Sequence, residues 1–192
     1  MKNLLPYDGE LYYQKGFFDN KKSSKFYSIL QSEIDWKNDE VYLFGKKHIT
    51  DRKTAWYGDD NYRYNYSGIS KVACLWHPIL LEIKLIIEAE LSDSFNSCLL
   101  NYYANGNQGM GWHADNEKEL KPNGAIAFIS LGEERRFLFK NRTSKEKTEM
   151  ILGNGSLTIM KGIIQQNWLH ALPLMKRVAG GRISLTYRTI IN

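Results

Sequence analysis

The chain has 192 residues, of which 43% are hydrophobic and 24% are charged. This composition is typical of a soluble globular protein with enough apolar residues for one core, and it excludes a collagen-like, coiled-coil or largely disordered chain. The 26 Lys and Arg residues exceed the 21 Asp and Glu residues, which gives a net charge of +5. A polyanionic partner is compatible with that charge, but the charge does not identify one.

The cysteines and the hydropathy pattern bear on cellular location. Cys74 and Cys98 are isolated, without CxxC spacing or a secretory leader. We therefore expect buried free thiols in a reducing compartment, with no disulfide and no thiolate zinc site. Charged residues interrupt the apolar window at 78–91, so no membrane-spanning segment is expected. The expected protein is soluble and not secreted, cytoplasmic if bacterial and nuclear if eukaryotic.

Hydrophobic periodicity predicts helices only in the first half of the chain. Residues 24–35 and 79–91 carry apolar side chains at helical spacing, and each predicted helix would bury one face. The aromatic and polar stretch at 41–67 alternates weakly and predicts either hairpins or an excursion over the surface.

Short strands dominate the rest of the chain. Alternating patterns bounded by Gly, Asn and Pro predict strands at 98–103, 125–131, 136–140, 149–152, 156–160, 168–171 and 182–190. No repeat or linker divides the sequence, so one domain with an N-terminal elaboration is expected. Helices followed by many short strands predict a sandwich or a jelly roll with helices on one face.

A histidine and a carboxylate two residues apart are the first candidate for chemistry. On a strand, His113 and Asp115 would point to the same side and could bind one ion. The alternative is a surface pair on the loop after Gly111. His170, on the predicted strand 168–171, would complete a set of two histidines and one carboxylate, which leaves iron positions open for an oxo-acid and oxygen. By itself, a residue such as His170 is more often a hydrogen-bonded core histidine than a metal ligand.

The last predicted strand alternates polar and apolar residues. Arg182, Ser184, Thr186 and Arg188 would share one face. Two arginines on a buried face require anionic partners, and a dicarboxylate would offer one carboxylate to each guanidinium. The alternative is an edge strand whose arginines face water.

Together these motifs resemble the AlkB family of iron(II)- and 2-oxoglutarate-dependent dioxygenases that repair alkylated nucleic acid. The likeness is strongest to the branch that contains the human DNA repair enzymes ALKBH2 and ALKBH3, and it spans roughly residues 41–190. The segments that carry it are 43–46, 52–53, 57–59, 64–68, 101–103, 113–117, 126–131, 167–173 and 182–188.

The resemblance implies a mainly β, α+β fold within a single domain at 1–192. Its catalytic core would be a double-stranded β-helix, or jelly roll, at 95–192. An N-terminal extension at 1–40 would contribute to the helices packed on one face, and a hairpin region at 41–70 would recognise nucleotides.

The resemblance also implies roles for the residues of the active site. His113, Asp115 and His170 would hold Fe(II). Ser184 stands where the family usually has Asn, and its hydroxyl can still donate a hydrogen bond. The residues expected to bind or line the pocket of 2-oxoglutarate are Asn101, Tyr103, Arg182, Ser184, Thr186 and Arg188. Oxygen would be the third reactant, with succinate, carbon dioxide and formaldehyde as products.

By the same resemblance, the substrate is N1-methyladenine or N3-methylcytosine in double- or single-stranded DNA, with the damaged base flipped out of the helix. Tyr66 would stack on the base and His113 would form the opposite wall, while Tyr64 and Glu117 would contact the nucleotide. For Tyr64 and Tyr66 the alternative is core packing within a hairpin.

Residues 43–46 resemble the hydrophobic finger of the family members that act on duplex DNA. Phe44, followed by Gly45, would be a wedge between base steps, and Lys46, Lys47, Arg52 and Lys53 would contact phosphates. The alternative is an apolar hairpin tip folded onto its own domain. A second basic group comprises Lys140, Arg142, Lys145 and Lys147. We expect it to be a solvated hairpin; the alternative is that it contacts the complementary strand.

These features favour a monomeric enzyme that repairs alkylated DNA by direct reversal and has no membrane partner. One alternative is the same chemistry on RNA or another substrate. The other is a non-catalytic nucleic-acid-binding jelly roll, although that protein would be expected to lack part of the ligand set.

Overall fold

The structure is a computed structural model that describes the backbone of residues 1–43, 46–66 and 69–191. It describes the side chains of these residues outside 40–48 and 64–71. The helices in the described part are α1 (Asn20–Glu33), α2 (Pro78–Leu91) and the short α3 (Ile164–Asn167). The strands are β1 (Glu10–Gln14), β2 (Lys37–Leu43), β3 (Lys46–Gly58), β4 (Arg63–Tyr66), β5 (Ile69–Val72), β6 (Cys74–Leu75), β7 (Ser97–Tyr103), β8 (Met110–His113), β9 (Ile126–Gly132), β10 (Arg135–Asn141), β11 (Lys147–Leu152), β12 (Ser156–Lys161), β13 (Trp168–Leu172) and β14 (Arg182–Arg188).

Two sheets form the body of the fold. The major sheet has the order β1-β12-β9-β14-β7-β3-β2, with β6 pairing to β3. The minor sheet has the order β11-β10-β13-β8. The sheets pack face to face, since Phe128 of the major sheet stacks on Phe137 of the minor sheet with ring centroids 5.5 Å apart. This arrangement is the predicted jelly roll.

Alternation along the strands gives the major sheet two different faces. The back face is apolar and shares one buried cluster with the helices, in which Ile129, Ile183 and Leu185 pack with Leu30 and Ile83. The front face points toward the minor sheet and carries polar side chains among apolar ones. Since side chains alternate at a period of two, each strand contributes to both faces.

Local sequence explains where the two long helices begin. Asp19 caps α1 by accepting a hydrogen bond from the Lys22 backbone N–H at 2.7 Å. Pro78 occupies the first turn of α2, where its missing N–H costs nothing, and the imidazole of His77 caps the same helix. Each helix is therefore preceded by a side chain that accepts a hydrogen bond from a backbone N–H of the first turn, a group that has no partner within the helix.

Most of the predicted elements are confirmed, with four strands and one helix added. The predicted helices at 24–35 and 79–91 correspond to α1 and α2, and each of the seven predicted strands is present. The expectation that helices occupy only the first half is wrong, because α3 lies between β12 and β13. The strands β1, β5, β6 and β8 lie outside every predicted element.

Segments 1–40 and 41–67 both take part in sheets. In the N-terminal segment, β1 pairs with β12 at the edge of the major sheet. In the second, β2 and β3 form one antiparallel ladder and β4 and β5 another, which favours the hairpin alternative.

The cysteines match the prediction only in part. Both are free; Cys98 is buried as expected, but Cys74 is exposed on β6. No helix in the described part of the chain is long and apolar enough to cross a membrane.

Candidate active site

The three predicted metal ligands converge. His113 is the last residue of β8, and His170 lies directly opposite it on β13. Asp115 follows the end of β8, so the expected strand geometry of the pair is wrong: the carboxylate comes from the adjoining loop. One ligand atom of each residue lies within 4.8 Å of the others, and the two imidazole rings meet edge to face with centroids 4.2 Å apart.

The protonation states of this cluster suit a cation. Burial, assisted by the neighbouring His113, lowers the pKa of His170 to about 3, so its imidazole is neutral at physiological pH. Burial by itself would raise the pKa of Asp115, but Arg188 and the two imidazoles outweigh it and hold that pKa below its ordinary value. Two imidazole nitrogens and one carboxylate form a donor set that binds Fe(II) and leaves coordination positions open.

The same cavity contains the buried guanidinium of Arg182, whose two terminal nitrogens lack hydrogen-bond partners among the described residues. Arg182 is only 1% exposed, and its Nε donates to Ser130 Oγ at 3.0 Å. Its Nη1 and Nη2 have no hydrogen-bond partner among the described residues. Burial lowers the pKa of Arg182 to about 10, which still leaves it charged at neutral pH. A buried charge without an ionic partner is costly, so this site fits an anionic ligand.

The cavity, of about 90 Å³, joins the metal ligands to most of the predicted 2-oxoglutarate residues. Besides Arg182, it is lined by Asn101, Tyr103, Ser184 and Thr186. Pairing positions these side chains: in the β14–β7 ladder, Arg182 lies opposite Tyr103 and Ser184 opposite Asn101.

Arg188, the second predicted arginine, lies against carboxylates of the protein. Its Nη1 is 3.9 Å from Asp115 Oδ1 and 3.6 Å from Glu117 Oε1. With these two residues it lines a neighbouring pocket of about 320 Å³. Its contact with 2-oxoglutarate stays a prediction.

Glu117 lies where the cavity and the neighbouring pocket adjoin, and it lines both. Burial, with a smaller contribution from Asp115, raises the pKa of its carboxyl, although Arg188 opposes the shift. Its buried Oε2 has no hydrogen-bond partner in the described part of the molecule. A polar atom left in that state is suited to a hydrogen bond with a ligand.

Comparisons with known proteins agree with this geometry. The family model of the 2OG-Fe(II) oxygenase superfamily matches residues 10–188. The chain belongs to that superfamily. This oxygenase is 32% identical over 185 residues to the DNA oxidative demethylase ALKBH2 of Mus musculus, covering 91% of this chain and 77% of that protein. It is 34% identical to the alpha-ketoglutarate-dependent dioxygenase alkB homolog 3 of Bos taurus, covering 91% and 64%.

The solved structure of OsALKBH1 has a similar fold, with a TM-score of 0.68. The match covers 93% of this chain and 97% of that one at 16% identity. Together with the superfamily match, the relatives make this oxygenase an AlkB-like dioxygenase that uses Fe(II), 2-oxoglutarate and O₂. The residues present fit both groups, since a cluster of two histidines and one carboxylate lies beside Arg182, whose Nη1 and Nη2 have no partner among the described residues.

One predicted phosphate contact of the oxygenase is wrong. Arg52 is 6% exposed, its Nη2 pairs with the buried Asp39, and its Nη1 donates to Met110 Sδ. A side chain buried in this way is unavailable to a DNA backbone. The pattern of β3 carried the signal, because Arg52, Thr54 and Trp56 alternate and are all buried, whereas Lys53 between them is exposed.

Several predicted substrate contacts lie outside what the structure describes. Phe44 and Gly45 lie outside the described residues, and so do the side chains of Lys46, Tyr64 and Tyr66. Their roles stay predictions.

A buried arginine that the sequence did not single out supports the end of the cavity that holds Arg182. Arg135 is 1% exposed, and its Nη2 donates to the carbonyl oxygens of Gln108 and Pro173, each at 2.8 Å. Its guanidinium also lies over the ring of Tyr103 at 5.9 Å. Arg135 thus fixes two loops and one cavity wall, and its alternation with buried Phe137 and Phe139 was the available clue.

Proposed function

We propose that this oxygenase removes N-methyl groups from N1-methyladenine and N3-methylcytosine in DNA. One observation carries the proposal: the cluster of His113, Asp115 and His170 shares a cavity with the unpaired guanidinium of Arg182. The relatives named as DNA oxidative demethylases support the choice of substrate.

The residues that line the cavity would have different roles. His113, Asp115 and His170 would hold Fe(II), and the free Nη1 and Nη2 of Arg182 would donate to the far carboxylate of 2-oxoglutarate. The bound iron and 2-oxoglutarate supply the oxidation of the methyl group by O₂, one oxygen atom entering the methyl carbon and the other entering succinate as CO₂ leaves. The hydroxymethyl group then departs as formaldehyde and leaves the base unmethylated.

Base flipping would bring the damaged base to this cavity. The cost of flipping is lowest for lesions that have lost Watson–Crick pairing, as N1-methyladenine and N3-methylcytosine have. Tyr66 and His113 would enclose the base, and Tyr64 would contact the nucleotide. Glu117 would bind the polar edge of the base, a role supported by its buried, unpartnered Oε2 beside the metal ligands.

The β2–β3 hairpin would act on duplex DNA. Its ladder ends with Leu43 opposite Lys46, and the predicted wedge Phe44 with Gly45 falls between these residues. An apolar wedge fills the gap left by a flipped base, while Lys46, Lys47 and the exposed Lys53 would bind phosphates. The enzyme would act as a monomer on double-stranded and single-stranded DNA.

Turnover on matched substrates tests the proposal. Purified protein with Fe(II), 2-oxoglutarate and air is given one sequence carrying a single N1-methyladenine as duplex DNA, single-stranded DNA or RNA. We expect formaldehyde and succinate in equal amounts from both DNA forms, and neither product from the His113→Ala variant. Succinate without formaldehyde on every DNA substrate would refute the proposal. Faster turnover of the RNA than of either DNA form would mean that RNA, rather than DNA, is the substrate.

A second comparison tests the wedge. Phe44→Ala should slow duplex repair at least tenfold more than single-strand repair, because only the duplex leaves a gap to fill. An equal reduction on both substrates would reject that role for Phe44.

A further inference from the structure

The backbone of Asp115 is held by a side chain. Because β8 ends at His113, the pairing of that strand does not extend to Asp115. The Asp115 backbone N–H donates instead to Oε1 of Gln165 at 3.0 Å. Gln165 lies in α3, directly before β13, the strand that carries His170.

The other end of the Gln165 amide is fixed as well. Its Nε2 donates to the thioether of Met160 at 3.4 Å, and Met160 is buried in β12 and lines the cavity. This pair of contacts sets the orientation of the amide, since the backbone N–H of Asp115 requires an acceptor and only the oxygen of the amide can provide it.

Asp115 also has competing electrostatic partners. Its Oδ1 is 4.0 Å from His113 Nε2 and 3.9 Å from Arg188 Nη1. Asp115, Gln165 and Arg188 all line the neighbouring pocket of about 320 Å³. Without the amide oxygen, the Asp115 N–H would face that pocket, and the attraction of Arg188 would compete with the metal for the carboxylate.

We propose that Gln165 is a positioning residue for the metal centre. By holding the Asp115 backbone, it joins the loop that supplies the carboxylate ligand to the element that supplies His170. Groups that orient metal ligands in this way are typically worth 10-fold to 100-fold in metal affinity. The inference does not depend on the nucleobase substrate, because it concerns metal binding in the absence of any substrate.

The affinity for Mn(II) tests this role without turnover. It is measured by anaerobic titration, with the free ion detected by electron paramagnetic resonance. Gln165→Met has similar length but lacks the amide oxygen, and we expect it to weaken Mn(II) binding at least tenfold. Gln165→Glu keeps an oxygen acceptor at the same position and should bind within threefold of the wild type.

Gln166→Met is the matched control. Gln166 lies on the same helix and lines the same pocket, but its amide donates to Asn123 Oδ1. It should bind Mn(II) like the wild type. Unchanged affinity in Gln165→Met would overturn the proposal, as would an equal loss in Gln165→Glu or in Gln166→Met.

Thermal melting of the metal-free variants separates positioning from folding. We expect Gln165→Met and Gln165→Glu to melt within a few degrees of each other while their Mn(II) affinities differ. If Gln165→Met fails to fold, Gln165→Ala replaces it in the same comparison. A loss of affinity that follows the melting temperature across all variants would assign Gln165 a purely structural role. Because no methylated base is present, these outcomes stand apart from success or failure of the demethylation assay.

Discussion

Arg182 is the side chain whose surroundings most directly require an anion, because two of its three nitrogens are buried and unpaired. Replacing it with Met should raise the KM for 2-oxoglutarate by about 10-fold to 100-fold, since a hydrogen bond to a charged group contributes about 1.5–3 kcal/mol. The metal-free protein should be no less stable, because the substitution removes an uncompensated buried charge. Initial rates at varied 2-oxoglutarate and a thermal melt measure both effects.

The control for this prediction is Arg136→Met. Arg136 follows Arg135 on β10, and its half-exposed side chain forms an ion pair with Glu149 at the surface. It therefore tests the removal of an arginine that does not line the cavity. Its KM for 2-oxoglutarate should match that of the wild type. A KM unchanged in Arg182→Met would remove the anion site from this position.

His170 makes the stability of the metal-free protein depend on pH. Its pKa is about 3 when folded and 6.5 in its ordinary state, so the unfolded chain takes up the proton first as the pH falls. The stabilisation is therefore fully present above about pH 6.5 and is lost as the pH falls toward 3. Urea unfolding with a chelator present, at pH 7.5 and 5.0, should show a smaller drop in His170→Leu than in the wild type.

His77→Asn serves as the comparison for this pH effect. His77 caps α2 and is paired with Glu33 at a partly exposed position, and Asn retains capping ability. This variant should keep the wild-type drop in stability. A drop that is the same in His170→Leu would show that another group is responsible.

Residue types and spacing made His113, Asp115 and His170 candidate ligands, and the family resemblance then implied their role. The strict alternation from Arg182 to Arg188 predicted the polar face of β14, but no pattern pointed to the residues that support these side chains. Gln165 is an ordinary glutamine on a helix of four residues, and its importance comes from a contact with a backbone far away in sequence. Such a contact depends on the tertiary structure and leaves no local pattern.

At the scale of elements, the β2–β3 hairpin is anchored by a buried ion pair. Arg52 of β3 reaches Asp39 of β2 and Met110 of β8, so it ties the hairpin to the strand that carries His113. Replacing Arg52 with Met should lower the free energy of unfolding by about 1.5–3 kcal/mol, because the buried Asp39 carboxylate loses its charge-assisted hydrogen bond to the guanidinium. Chemical denaturation measures this loss.

A double variant checks the origin of that cost. Arg52→Met combined with Asp39→Leu should recover much of the stability, since an apolar pair of similar size often replaces a buried ion pair without loss. Failure to recover any stability would mean that the cost arises from packing rather than from loss of the Arg52–Asp39 ion pair.

Element prediction worked where the periodic pattern was long. The helices α1 and α2 each span 14 residues, which gives several turns of apolar spacing. The four residues of β8 and the four of α3 are too short for a period to stand out. Both short elements lie next to predicted metal ligands. The parts of the chain that are hardest to predict from sequence therefore hold these ligands in place.

At the scale of the whole molecule, the excess of basic residues is expected to make the proposed DNA binding weaken as salt rises, with a slope set by the residues that contact phosphates. Each phosphate contact releases about one counterion, so Lys46→Ala or Lys53→Ala should reduce the slope of log affinity against log salt by about one unit. Fluorescence anisotropy with a methylated oligonucleotide across a salt series measures the slope. Affinity that does not vary with salt would count against a phosphate-binding surface on the hairpin.

Lys25→Ala is the corresponding control. Lys25 is exposed on α1, and α1 packs on the back face of the major sheet, away from the cavity. Its removal should leave the slope unchanged, although it changes the net charge by the same amount.

The fold class followed from the sequence, whereas the order of strands did not. Many short alternating segments after helices favour a jelly roll, but pairs such as β1 with β12 join residues that lie far apart in the chain. Pairing of this kind is decided by how whole sheets close on one another, and each strand taken alone is compatible with several neighbours.

The alternation of β14 has a practical consequence for engineering. Ile183, Leu185 and Tyr187 belong to the apolar layer beneath the helices, while Arg182, Ser184 and Thr186 line the cavity. Randomising the even-numbered positions while keeping the odd-numbered ones constant should therefore vary the proposed oxo-acid site and leave the apolar layer intact.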